Sequence, residues 1–65
     1  MHLHETVELA HDLGHWPAGT AATIVDESKA GFIIEIVGPD GRTLALLDIH
    51  SEDVRPLAPQ HYVYA

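Results

Sequence analysis

Sixty-five residues carrying three Lys or Arg against ten Asp or Glu give a net charge of −7 and room for a single domain. Binding nucleic acid by counterion release requires cations to neutralise phosphates, and only Lys29, Arg42 and Arg55 are available, which argues against DNA or RNA as a direct partner. Cysteine is absent, so a chain that buries only about 60% of its unfolded surface must rely on an economical closed architecture, a metal or a partner subunit.

In chain order, Met1-His-Leu-His-Glu-Thr6 has no basic segment followed by an apolar core, so it does not read as a signal peptide. Nor does any apolar run approach the roughly 18–20 residues of a membrane span. A soluble, cytoplasmic protein that does not engage the membrane is the expectation. Glu5-Thr-Val-Glu-Leu9 alternates, with Val7 and Leu9 on one face and Thr6 and Glu8 on the other, which predicts a half-buried first strand. Ala10 to Gly19 contains two glycines and a proline and reads as a long loop. Leu13 and Trp16 are its apolar anchors, expected to fold back onto the core. Thr20-Ala-Ala-Thr-Ile-Val-Asp26 is β-branched and alternating, a second strand with Ala22 and Ile24 inward. A polar connection from Glu27 ends at Gly31.

The clearest local signal follows. Phe32-Ile-Ile-Glu-Ile-Val37 and Arg42-Thr-Leu-Ala-Leu-Leu47 flank Gly38-Pro-Asp-Gly41, so they predict a β-hairpin. Pro39 pre-sets φ for the second turn position, Asp40 bonds its local backbone, and Gly41 takes positive φ without steric cost. Glu35 orients the first arm. An ionised carboxylate is costly to bury, so Phe32, Ile34 and Ile36 face inward. Ile33 and Val37 then face outward with Glu35, and Leu44, Leu46 and Leu47 cannot all point in, so this surface needs cover. His50-Ser-Glu-Asp53 reads as a 3₁₀-like turn with Ser51 suited to cap it. Val54-Arg-Pro-Leu57 is a short fifth strand at an edge, because Pro56 cannot donate to a ladder. The tail from Ala58 carries Tyr62 and Tyr64 on either side of Val63 and is expected either to pair with a neighbouring sheet edge or to stay loose, the usual fate of termini.

These elements predict an all-β domain over residues 1–57, with residues 58–65 as a C-terminal tail. The domain is a small five-stranded SH3-like barrel with its long loop after the first strand and a 3₁₀-like turn before the last. Closure limits the edges a chain this short cannot otherwise cover.

Several segments resemble a bacterial family of small uncharacterised proteins, DUF4926. They are Val7 and Leu9, Trp16-Pro-Ala-Gly-Thr20, Thr23-Ile-Val25, Glu35-Ile-Val37, Asp40-Gly-Arg-Thr-Leu-Ala-Leu-Leu47 and Asp53-Val-Arg-Pro-Leu57. The similarity spans roughly residues 5 to 57, and Ala22 stands where the family pattern has glycine. The resemblance implies an SH3-like barrel and brings no catalytic residues, and a shared fold does not transfer a function.

Six histidines suggest a metal, with His2, His4, His11 and His15 the candidate ligands. His2 and His4 would share a face if extended, and His11 and His15 bracket Asp12. Their spacing matches no established motif, so surface histidines are the simpler reading and no metal or other cofactor is expected. Catalysis has little support: there is no cysteine, no Gly-x-Ser-x-Gly elbow, and Glu35 beside Arg42 reads as an ordinary cross-strand ion pair. The expected function is therefore a non-enzymatic protein–protein interaction module that self-associates into a homo-oligomer or binds a partner protein. An antitoxin-like or accessory subunit of a neighbouring-gene protein, and ligand binding through the histidines, are the alternatives. Trp16, Ile33, Val37, Tyr62 and Tyr64 are the candidate contact residues, with a lid over one end of the barrel the plainer role for Trp16.

Overall fold

The computed structural model describes residues 2–57. Five strands, β1 (Thr6–Leu9), β2 (Ala21–Glu27), β3 (Gly31–Val37), β4 (Thr43–His50) and β5 (Val54–Pro56), form one antiparallel sheet in the order β4-β3-β2-β1-β5. A 3₁₀ turn, Ser51–Asp53, joins β4 to β5. Among the described residues there is no α-helix, and no helix long and apolar enough to cross a membrane. The predicted tail, with Tyr62 and Tyr64, lies outside the described residues.

Alternation along the strands puts one apolar face into a shared core. Val7, Leu9, Ala22, Ile24, Ile34, Ile36, Ile49 and Val54 are buried, so every strand contributes. Phe32, Ala45 and Leu47 pack against this core half-buried, together with Leu13 and Trp16 from the long loop. Glu35 lies on the opposite face, as its charge requires. The three leucines divide: Leu47 turns in, whereas Leu44 and Leu46 are 54% and 62% exposed.

Two bulges interrupt the alternation. Ile24 pairs with Ile34 but Asp26 pairs with Ile33, leaving Val25 as an extra residue in β2. Ile36 pairs with Ala45 and Val37 with Thr43, leaving Leu44 extra in β4. A bulge bends its strand and increases local twist. The connection between the edge strands demands such bending. His50 ends β4 and Val54 opens β5, so four Cα steps, at most about 14 Å, must join edges that lie about 19 Å apart in a flat five-stranded sheet. The sheet therefore curls until its edges approach. No ladder joins β4 to β5 among the described residues, so the curled sheet stays open where closure was expected.

The hairpin turn is built as its residues dictate. Gly41 N–H donates to Gly38 O at 3.0 Å, Gly38 N–H to Arg42 O at 2.8 Å, and Gly41 sits at φ +84°. Asp40 Oδ1 accepts the Arg42 N–H at 3.1 Å. Two local expectations need correction. Ser51 is the first residue of the 3₁₀ turn and His50 its N-cap; the His50 N–H is satisfied by Asp53 Oδ2 at 2.9 Å. Arg42 does not cross the hairpin to Glu35 but pairs with Asp40 at 3.4 Å, while Glu35 accepts the Thr43 hydroxyl. The turn keeps Arg42 beside the residue that caps it, so the shorter contact wins.

Gly31 opens β3 where the β3 and β4 backbones touch. A Cβ there would meet Ile49 O at 2.1 Å and His50 Cα at 2.8 Å. Gly31→Ala must push two backbones apart and is expected to lower stability by about 2 kcal/mol in urea denaturation. Gly41→Ala meets open space but must hold positive φ, and is expected to cost about 1 kcal/mol. Equal losses at the two positions would show that close strand approach does not dictate glycine at 31.

Candidate interaction groove

The long loop is drawn shut at its neck and again at its tip. Leu9 N–H donates to Thr20 O at 2.9 Å and Gly19 N–H to Leu9 O at 2.8 Å. Inside that neck, Asp12 Oδ1 accepts the Ala18 N–H at 2.8 Å. At the tip, Leu13 and Trp16 exchange two backbone bonds, 2.8 and 2.9 Å, around Gly14 and His15. Gly14 has φ +57°, which a two-residue hairpin loop asks of glycine at its first central position. This tight turn projects Leu13 and Trp16 together onto the core, and the His15 ring lies over the indole with centroids 4.6 Å apart.

One polar latch ties the loop to the 3₁₀ turn. His11 Nε2 lies 2.8 Å from Asp53 Oδ1, His11 Nδ1 lies 3.0 Å from Asp12 O, and Ala10 N–H donates to Asp53 O at 2.8 Å. Both ring nitrogens face acceptors, and only the imidazolium donates to both. The Asp12 carbonyl, followed by the Asp53 carboxylate, accordingly raises the His11 pKa above its ordinary value. The backbone N–H of His50, followed by His11, lowers that of Asp53.

Between the loop and β4 lies an open groove of about 450 Å³. Leu13 and Trp16 form one wall, Asp53 contributes from the 3₁₀ turn, and Leu46, Leu47, Asp48 and Ile49 form the other wall. Side chains of a strand alternate between faces, so four consecutive residues can wall one groove only along the strand's edge. The groove thus runs beside the edge of β4 whose N–H and C=O groups join no ladder among the described residues. The other edge of the sheet is guarded: β5 is three residues long, ends in Pro56, and carries Arg55 paired with Glu8 at 3.4 Å. By contrast β4 has eight residues, no proline and a single Asp or Glu, Asp48.

The sequence-predicted contact residues fall in different places. Trp16 walls the groove. Val37, 44% exposed, lies on the outer face of the sheet above a shallow depression of about 150 Å³. Ile33 is half-buried on that same face, paired with Asp26 on one side and Asp48 on the other. From the sequence Leu46 and Leu47 are named as surface needing cover but not as contact residues, and Asp48 and Asp53 are not among the contact residues. Leu46, Leu47 and Asp48 become contact candidates once β4 is seen at the sheet edge, as parts of a long strand lacking the protections usual there.

The four candidate histidines do not converge. His2 and His4 lie in or beside a turn ahead of β1 rather than on one strand face, with His4 at φ +68°. His11 binds Asp53 and His15 covers Trp16. Among the described residues no three His, Cys, Asp or Glu side chains are placed to hold one ion.

The latch carries a pH dependence whose sign follows from its two shifts. The His11 contribution is fully present below the unfolded value near 6.5 and is lost as pH rises through the raised folded value. The Asp53 contribution is present above the unfolded value near 3.8 and is lost as pH falls through the lowered folded value. Urea denaturation from pH 5 to 9 is expected to show wild type losing more stability above neutrality than His11→Gln. Parallel curves for the two proteins would remove the latch.

Compared with models of known protein families, with curated proteins and with solved structures, the chain has no match.

Proposed function

We propose that the chain is a small SH3-like barrel, akin to the DUF4926 proteins it resembles, acting as a non-enzymatic protein–protein interaction module. It engages a second copy or a partner protein by adding a strand to β4. The observation that supports this most is the groove along the β4 edge, unpaired among the described residues, where main-chain hydrogen bonding and an apolar pocket are offered side by side. Strand addition uses that combination: the ladder supplies affinity, and pockets for alternate side chains supply specificity. The strand order and the 3₁₀ link support the SH3-like reading, since the link draws the two edges together as closure of a barrel requires. Leu44, Leu46 and Val37 extend the contact onto the outer face, where all three are exposed. Ile33, half-buried between two aspartates, is less accessible than Val37.

A photo-crosslinking residue in place of Leu46 tests this in cells of the native host. The expected product is a discrete adduct with a second copy or one partner protein, absent when the same residue replaces exposed Glu27 on β2. Val37→Ser is expected to weaken the Leu46 adduct partially, and Leu46→Lys to leave the melting temperature within a few degrees of wild type. The reading falls if Leu46 and Glu27 give the same adducts.

A further inference from the structure

We propose that the strand docking on β4 belongs to a basic partner and alternates aliphatic residues with Lys or Arg, rather than coming from a second copy of this chain. This rests on the interaction reading above and names its occupant. A strand laid along β4 must obey the same alternation as the sheet it joins. Its inner side chains enter the groove toward Leu13, Trp16 and Leu47, which are apolar. Its outer side chains pass beside Leu46 and Asp48, and Asp48 continues through Ile33 to Asp26 across the outer face. Asp48 accepts only the Ser28 hydroxyl, at 3.1 Å, and has no cation within ion-pair distance among the described residues. Asp53, at the 3₁₀ end of the groove, adds a second carboxylate, shared with His11.

The chain's own cations do not neutralise this rim. Arg42 is held at the hairpin tip by Asp40, and Arg55 lies on the guarded edge with Glu8. Lys29 sits in the β2–β3 turn and makes no ion pair among the described residues. A second copy would bring another net charge of −7 and a β4 strand containing no Lys or Arg. Like charges brought to one edge oppose association, whereas a cationic strand is steered to it and placed in register by Asp48.

Three synthetic peptides of equal length test the assignment: alternating Lys-Val, alternating Glu-Val and alternating Lys-Ser. Each is titrated into the full chain with amide chemical shifts and hydrogen exchange as readouts. Lys-Val is expected to shift Leu46 to Ile49 and the Trp16 indole and to slow exchange along β4, with affinity falling as salt is raised. Asp48→Asn is expected to weaken it about tenfold, whereas Glu52→Gln has little effect. Glu-Val and Lys-Ser are expected not to protect β4, the first lacking charge complementarity and the second lacking apolar contact. Equal binding of Lys-Val to wild type and Asp48→Asn overturns the cationic assignment. Protection of β4 that grows with protein concentration in the absence of peptide also overturns it, in favour of a second copy, and leaves the interaction reading standing. Should β4 stay unprotected with every peptide and at the highest protein concentration, both readings fail.

Discussion

The short link between His50 and Val54 is the constraint on which the rest of the structure depends. It is too short to cross a flat five-stranded sheet, so the sheet must coil until β4 and β5 come near each other. Coiling turns a single sheet, whose apolar face alone would have nothing to pack on, into a shell that packs on itself. The eight buried side chains, drawn from all five strands, are the result. Bulges at Val25 and Leu44 supply bends that regular pleating would resist.

The same link places Asp53 where its carboxylate and its carbonyl both reach the long loop, through His11 and Ala10. The loop is therefore held at three levels: its neck at Leu9 and Gly19, its middle at Asp12 and Ala18, and its flank at Asp53. Held in this way, a segment without regular structure presents Leu13 and Trp16 to the core and to the groove at once. For Trp16, a role as lid and a role as binding wall are compatible, because the indole is half-buried against the core and its remaining surface lines the groove.

The two edges of the sheet are treated differently. Proline, short length and a charged cross-strand pair protect β5, while β4 is long, nearly free of charge and contains three leucines. Unprotected edges invite pairing with other chains, and under the proposed function the carboxylates of Asp48 and Asp53 beside this edge would restrict which strands are accepted.

Much of the fold was legible in the residue order because it depends on period and turn chemistry. Val7 and Leu9, Ala22 and Ile24, and Ile34 and Ile36 were all readable as inward from alternation, with Glu35 setting the parity of the hairpin. Gly38-Pro-Asp-Gly41 specified its turn by the conformations those residues can adopt. The contacts of Arg42 and Ser51 were misread because each depended on a competing local partner, Asp40 and Asp53, whose distance no spacing rule supplies. The groove was not legible at all: Leu13 and Trp16 lie some thirty residues from Leu47 in the chain, and only the coiling of the sheet brings them face to face. By itself, then, the sequence determined five strands, their inward faces, a tight hairpin and an acidic surface, since these follow from local sterics and from the cost of burying charge. Only the tertiary structure decided which strand is left at an open edge and what stands beside it, because strand order and loop docking come from contacts between residues far apart in the chain.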